Sequence, residues 1–260
     1  MKRRNMFWGL LLIGIAGLLL LKQFGIIENF PGYLWVLMMF LVGVWLIVSA
    51  LTRSTDGPLE RISISHSGAS QARIKLDHGA GRLNVHAGAA PGNLLEGECT
   101  PGTLVKTTTE GDLQKVKIKS ASDFWAWAPG EGHNWDLALA KDIPLILDID
   151  SGANTSVLDL HDLQVTELDL DTGASTTDIT LPASAGLTRV NVDAGAATVR
   201  IVVPQGVAAQ IRIQSGMASV NVDSRFPKIG PNLYLSPDYA NATNRAEINI
   251  ETGMASVEIK

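Results

Sequence analysis

Cysteine is nearly absent from the chain: Cys99 is the single one among 260 residues. One cysteine can form neither an internal disulfide nor a cysteine metal cluster. The chain also lacks the phosphate-binding loop G-x-x-x-x-G-K-[ST], the dinucleotide fingerprint G-x-G-x-x-G and the hydrolase motif G-x-S-x-G. Its five histidines have no H-x-x-x-H or H-E-x-x-H spacing, although His78 and His86 could meet across one repeat. These absences predict a protein that is not an enzyme and that binds no cofactor or metal.

Basic residues are scarce outside the N-terminal region. Residues 53–260 hold 17 Lys and Arg against 25 Asp and Glu, whereas residues 1–52 hold four basic residues and one acidic residue. An acidic domain repels the phosphate backbone of DNA and RNA. The charge balance therefore predicts no nucleic-acid partner.

Charge is missing altogether from two apolar runs, residues 7–21 and 33–51. As a helix the second run would rise about 28 Å, close to the thickness of a hydrocarbon core. We predict two transmembrane helices, at about 7–24 and 33–51, within an anchor of residues 1–52 that has the lipid bilayer as its partner. A cleaved signal peptide at residues 2–21 is the alternative, but no A-x-A-like cleavage site follows Leu21.

Three basic residues precede the first apolar run, and one lies between the two runs. The positive-inside rule then favours both ends of the hairpin in the cytoplasm. The predicted location is the bacterial inner membrane, with a multi-pass anchor and a cytoplasmic soluble domain.

The remaining chain is repetitive. Glycines followed by Ala or Met occur at 152, 173, 195, 216 and 253, in steps of 21, 22, 21 and 37 residues. Apolar residues keep step with them, for example the alternating pairs Val190/Val192 and Ile211/Ile213 before a glycine. Alternation with period 2 indicates strands, and a fixed repeat near 21 residues is typical of a solenoid.

We therefore predict a mainly β fold: a β-solenoid with coils of about 21–22 residues, preceded by the two-helix transmembrane hairpin. The solenoid spans 61–260 after a linker at 53–60, with insertions near 90–147 and 223–246. Each coil stacks on the next in sequence. The corners between strands favour glycine because turns often need a positive φ. The predicted corner glycines are Gly68, Gly79, Gly88, Gly152, Gly173, Gly195, Gly216 and Gly253.

Aromatic residues concentrate in the two insertions. Exposed aromatics can mark a protein contact, whereas a solenoid must also hide the open ends of its apolar column. Both interpretations, a partner contact or an end cap, apply to Trp125, Trp127, Trp135, Phe226, Tyr234 and Tyr239.

Two D-[ST]-G segments resemble the catalytic loops of aspartic proteases, in which two carboxylates share a proton. Asp150 and Asp171 are only 21 residues apart, however, and the same slot later holds Asp193, Gln214 and Glu251. Because a catalytic dyad would not continue as a ladder, we interpret these residues as polar corner residues that bind turn N–H groups. A weak attraction for a cation is the alternative.

The whole pattern also resembles a known family. A basic start, two apolar runs joined by FPGYLW (30–35) and Gly-Ala strands after DIPLILDIDSGA (142–153) are similar to bacterial cell-wall-active-antibiotics response proteins. These are Lia-type membrane regulators with toast-rack or adhesin-like β-repeat domains. The resemblance implies no catalytic residues and a membrane-bound protein that restrains a sensor kinase of the envelope stress response. The Trp-bearing segment 121–135 departs from that pattern.

The sequence thus predicts a membrane-anchored, non-enzymatic interaction module that modulates a sensor kinase or another membrane protein. Two alternatives stay open. A homo-oligomeric scaffold could form through the last strand, SVEIK, which has no evident cap. A surface adhesin would require the opposite topology.

Overall fold

The computed structural model describes residues 59–120 and 133–260, together with Met39, which is helical. The described strands lie in one hydrogen-bonded sheet system within one compact unit. They are β1 (Glu60–Ser65), β2 (Gln71–Ala87), β3 (Asn93–Cys99), β4 (Leu104–Glu110), β5 (Leu113–Lys119), β6 (His133–Leu139), β7 (Pro144–Asp159), β8 (Gln164–Thr172), β9 (Thr176–Thr180), β10 (Leu187–Val202), β11 (Ala208–Val222), β12 (Lys228–Gly230), β13 (Leu233–Leu235) and β14 (Arg245–Ile259).

The predicted fold class needs correction. Residues 59–120 and 133–260 are mainly β, as predicted, but the described residues contain no two-helix hairpin, so the predicted combination of a solenoid with such a hairpin is wrong. No helix among the described residues is long and apolar enough to cross a membrane. The predicted helices at 7–24 and 33–51 lie outside the described residues, apart from Met39.

Six parallel rungs form the centre of the fold. We define a rung as one strand, or the strand pair β8–β9, that passes through a corner glycine. In spatial order the rungs are β2, β7, β8–β9, β10, β14 and β11. Each rung has a first arm before its glycine and a second arm after it. In β10 and β14 one register holds from Leu187↔Arg245 to Ile201↔Ile259, on both sides of Gly195 and Gly253, so the two strands stay paired before and after the corner.

The spatial order differs from the sequence order at one place. The sequence analysis predicted that each coil stacks on the next coil in sequence. In the structure, β14 lies between β10 and β11 and pairs with both in parallel. The segment 223–246 makes this possible. It follows β11, contains the hairpin β12–β13 and leads back to β14, which lies between β10 and β11. The long step of 37 residues therefore reflects an inserted rung, and SVEIK is an interior strand.

The core lies between the two arms of the rungs. In β7 the buried residues of the first arm are Leu145, Leu147 and Ile149, which have odd numbers. In its second arm they are Asn154, Ser156 and Leu158, which have even numbers. Successive side chains of a strand point to opposite faces, so this change of parity means that the strand turns its other face inward at the corner. The stacked rungs thus bury one continuous set of apolar columns.

The corner glycines form a column of close backbone contacts. A Cβ added at Gly152 would lie 2.8 Å from the carbonyl oxygen of Gly79, and one at Gly173 would lie 3.0 Å from that of Gly152. The same contact follows at Gly195, Gly253 and Gly216, at 3.2, 3.1 and 3.1 Å.

None of these five glycines has a positive φ, so the predicted positive φ does not explain glycine in this column. Glycine is required there because the rungs approach too closely for a side chain. A positive φ occurs at Gly68 and Gly88, at 83° and 143°, which lie outside the column.

The region predicted as an insertion at 90–147 contributes to the stack. Strand β5 pairs in parallel with the first arm of β2, and β6 pairs in parallel with its second arm, so the two strands together act as a split rung. Strand β4 then covers β5, while β3 and β1 extend the sheet beyond β6, all in antiparallel orientation. This end of the stack is therefore closed by several strands.

The glycine column predicts a position-specific effect of alanine. Gly152→Ala should destabilise the fold by about 1–3 kcal/mol, because the new Cβ meets the carbonyl oxygen of Gly79 at 2.8 Å. Chemical denaturation followed by circular dichroism measures the change.

Gly79→Ala is the matched control, because Gly79 begins the column and a Cβ there meets no atom of the described residues within 4 Å. It should be neutral or stabilising by up to about 1 kcal/mol. Equal destabilisation by the two substitutions would contradict the packing explanation.

Candidate functional site

Carboxylates stack in two columns on the outer side of the first arms. One column contains Asp148 and Asp169, and the next contains Asp150, Asp171, Asp193 and Glu251. Each member lies directly across from the next in the parallel register, about 4.8 Å away by strand spacing. We call these six carboxylates the acidic face.

The acidic face borders a shallow groove of about 330 Å³. Eight of its ten lining residues carry a carboxylate or an amide, and the other two are Leu170 and Val192. The lining residues are Asp148, Asp150, Asp169, Leu170, Asp171, Asn191, Val192, Asp193, Asn249 and Glu251.

One cation neutralises one end of the acidic face. Lys75 of β2 lies 3.1 Å from Asp148 and 2.7 Å from Asp150, measured from Nζ to the nearest carboxylate oxygens. The hydrogen bond to Asp150, with further attraction from Asp148, raises the pKa of the Lys75 ammonium above its ordinary value, although burial opposes the shift. Lys75 is therefore charged at every physiological pH.

The other end has no such cation. Among the described residues no Lys or Arg forms an ion pair with Asp171, Asp193 or Glu251. In the neighbouring column amides relieve the stacking: Asn191 donates to Asp169 at 2.7 Å, and Asn249 donates to Asn191 at 3.1 Å. Negative charge thus accumulates towards Asp171, Asp193 and Glu251.

The sequence candidates for cation binding or acid catalysis among the described residues are Asp150, Asp171 and two histidines. No group of three or more His, Cys, Asp or Glu side chains in the part of the chain that the structure describes could hold a metal ion. Asp150 and Asp171 are neighbours in register, but Asp150 pairs with Lys75 and not with the turn N–H groups that we predicted. The two predicted histidines also do not meet. His78 binds the carbonyl of His133, whereas His86 lies 3.3 Å from Asp136.

The predicted aromatic site residues are dispersed. Trp135 and Phe226 are 1% and 2% exposed, so neither offers a surface to a partner. Tyr234 and Tyr239 are half-buried, the first beneath Lys228 and the second donating to Glu247 at 3.2 Å. Trp125 and Trp127 lie outside the described residues.

The burial of Trp135 and the acidic face could both have been predicted from the sequence. Trp135 alternates with Leu137 and Leu139, which marks it as an inward residue of β6. The acidic face follows a repeated pattern of apolar and acidic or amide residues, LDID (147–150), LDLD (168–171), VNVD (190–193) and INIE (248–251). The sequence-based prediction included only the second polar residue of each group.

A family comparison covers most of the stack. The family described as the N-terminal domain of toast_rack, DUF2154, matches residues 54–202. The chain belongs to this family. The resemblance to toast-rack domains is thereby confirmed. The match also supports a non-enzymatic interaction module, the general kind of protein that the sequence predicts.

One solved structure supports the fold of the toast-rack domain. A candidate cell adhesion protein from Clostridium sporogenes superposes with a TM-score of 0.70 at 20% identity, over 79% of this chain and 100% of that protein. A candidate adhesin from Bacteroides fragilis gives only 0.35 at 7% identity, over 79% and 99% of the two chains. The first similarity shows the shared fold, and the second is too low to carry an argument. No curated protein matches the sequence.

The stacked carboxylates make a prediction about stability. Asp171→Asn should stabilise the domain by up to about 1 kcal/mol at low salt, because it removes repulsion from Asp150 and Asp193 on either side. The gain should shrink in about 0.5 M NaCl, where screening weakens the repulsion. Denaturation midpoints at both salt concentrations give the result.

Asp178→Asn provides the comparison, because Asp178 pairs with Arg200 at 3.0 Å. Loss of this ion pair should cost up to about 1 kcal/mol. If Asp171→Asn destabilises the domain as well, the repulsion argument fails.

The buried His78 predicts sensitivity to acid. Desolvation lowers the pKa of this imidazole from 6.5 to about 4, and its Nδ1 has no hydrogen-bond partner among the described residues. The unfolded chain takes up this proton near pH 6.5, while the folded chain does so only near pH 4. Stability should therefore be fully present above about pH 6.5 and fall by about 3 kcal/mol as the pH drops to about 4.

His78→Phe should flatten the dependence of stability on pH between these values. The half-exposed His161, replaced by Gln, serves as the control and should leave the dependence unchanged. An unaltered slope in His78→Phe would show that other groups cause the acid sensitivity.

Proposed function

We propose that this toast-rack domain is a binding module that presents the acidic face to a basic segment of a protein partner. The observation that carries the proposal is the accumulation of Asp171, Asp193 and Glu251 in one column without an ion-pair partner among the described residues. The groove of about 330 Å³ gives Lys or Arg side chains a concave surface against which to lie.

Charge and rigidity both favour this use. Two carboxylates about 4.8 Å apart repel by about 1 kcal/mol even in water, and by more near a protein surface. A basic partner would remove that repulsion and gain attraction at the same time. The acidic face is borne by hydrogen-bonded strands on a packed core, so little conformational entropy would be lost on binding.

The resemblance to Lia-type regulators suggests the partner. In our proposal it is a membrane sensor kinase of the bacterial envelope stress response, and the domain faces it from the cytoplasmic side. The charge of the domain is consistent with this arrangement, since an acidic surface is repelled by anionic lipids and would leave the acidic face free for protein.

Crosslinking in bacterial cells tests the proposal. The triple substitution Asp169→Asn, Asp171→Asn and Asp193→Asn should reduce recovery of a histidine kinase with the tagged chain at least about tenfold, as identified by mass spectrometry after mild crosslinking. The same variant should alter the output of a stress-response reporter gene.

Asp112→Asn, Asp142→Asn and Asp162→Asn form the matched control, because they change the net charge equally on exposed loop residues away from the groove. This control should retain the kinase. Recovery of no kinase with the wild-type chain, at rest or under stress, would refute the proposed partner. Equal recovery with both triple variants would refute the role of the acidic face.

A further inference from the structure

The second arm of β11, residues 216–222, lies at an open edge of the stack. On one side it pairs with β14 from Met217↔Met254 to Val222↔Ile259. On the other side, β13 covers only residues Gln210–Arg212 of the first arm. No strand among the described residues pairs with the free side of 216–222. We call this segment the open edge.

The open edge leaves part of the apolar column uncovered. Val220 and Val222 are only half-buried, although they point inward. The residues that lie in register with them on β14, Val257 and Ile259, are each 1% exposed. Met217 is 76% exposed at the corner of the same rung. A cover over the open edge would complete the burial that the other rungs have.

The open edge also lacks the usual protection against strand pairing. Natural edge strands commonly carry charges or proline, which oppose pairing with another chain. The sequence GMASVNV (216–222) has neither. The other strands at the margins do carry charge: Lys106 in β4, Arg61 in β1 and Lys228 in β12.

The neighbouring strand β14 contains nearly the same sequence as the open edge. The strand docked on the paired side of 216–222 has the sequence GMASVEI (253–259), which shares its first five residues with the open edge. Met, Ala, Ser and Val of the two strands lie opposite their counterparts in register. The GMASV segment therefore packs beside a copy of its own sequence at strand distance, here in parallel orientation.

From these observations we propose that the open edge binds the open edge of a second copy of this chain, in antiparallel orientation about a two-fold axis. Inward residues must oppose inward residues if the core faces are to stay on one side. One residue must then lie opposite its own copy across the axis. All seven residues of 216–222 pair with residues of the same segment in the second copy only when that residue is Ser219. Asp223 then lies opposite Ser215 of the second copy, so no like charges meet.

The contact is small. A strand of seven residues is about 23 Å long, and its edge buries less than a standard protein interface. We therefore expect a reversible dimer with a dissociation constant on the order of micromolar or weaker.

Disulfide crosslinking of the full chain tests the register. Ser219→Cys should give a disulfide-linked dimer under mild oxidation, because residues on the axis lie about 4.5–5.5 Å apart between Cα atoms. Asn221→Cys is the control and is equally exposed. Its two copies would be offset by about 13 Å along the strands, beyond disulfide reach. The native Cys99 is buried, and burial raises the pKa of its thiol to about 12, so it does not compete.

Absence of a dimer from Ser219→Cys, or equal crosslinking of the two variants, would overturn the proposed contact. Sedimentation of the full chain provides a second measurement. Ser219→Lys should weaken self-association at least about tenfold, because two ammonium groups would then meet on the axis. Ser256→Lys adds the same charge at the position of β14 in register with Ser219, which is exposed but interior to the sheet.

Ser256→Lys should associate as the wild type does. Association through other parts of the chain would contribute equally to all variants, so the difference between the two lysine variants reports on the open edge. Unchanged association of Ser219→Lys, or equal loss in both lysine variants, would contradict the proposal. The triple variant of the acidic face should still dimerise, so loss of the kinase and loss of the dimer report on separate surfaces.

Discussion

The close approach of the corner glycines is the constraint on which the rest of the structure depends. Each rung bends at its glycine, and the next rung follows the bend with a backbone contact near 3 Å from where a Cβ would lie. Without this column, the two arms could not keep one register through the corner. With it, the residues of β10, β14 and β11 keep one register on both arms. Packing, surface charge and edge chemistry all follow from that repetition.

In-register stacking treats the two sides of a sheet differently. On the inner side it places apolar residues on apolar residues, which builds a continuous core from short strands. On the outer side it places like charges next to each other whenever successive rungs carry acidic residues at the same position, and the electrostatic repulsion adds up along the column. Lys75 offsets this cost at one end, and the amides of Asn191 and Asn249 moderate it in the neighbouring column. The remaining carboxylates are therefore the natural place for an external cation-bearing partner.

The sequence contained enough information to predict the rungs but not their neighbours. Alternation and the 21-residue step are local signals, and they identified the inward residues of β10, β11 and β14 as well as the corner glycines. The position of β14 between β10 and β11 is a pairing preference between distant segments, and spacing along one chain does not encode it. The role of glycine was misjudged for a related reason, because a close approach depends on the neighbouring rung and not on the local turn. Trp135 was assigned to an insertion, because spacing along the chain does not show that its strand completes a split rung whose other half is β5.

The insertion of β14 determines which surface is left open. Because the last strand is interior, Lys260 is held by backbone hydrogen bonds to Ile201 and Val203, and the chain end does not form the margin of the sheet. The margin is β11, whose first arm is covered by the β12–β13 hairpin and whose second arm is bare of any described strand. The acidic face lies on the first arms and the open edge on a second arm, so occupation of one does not consume the residues of the other. A dimer through the open edge would carry two acidic faces, and a partner with two basic segments would then bind more tightly through effective concentration than either face alone allows.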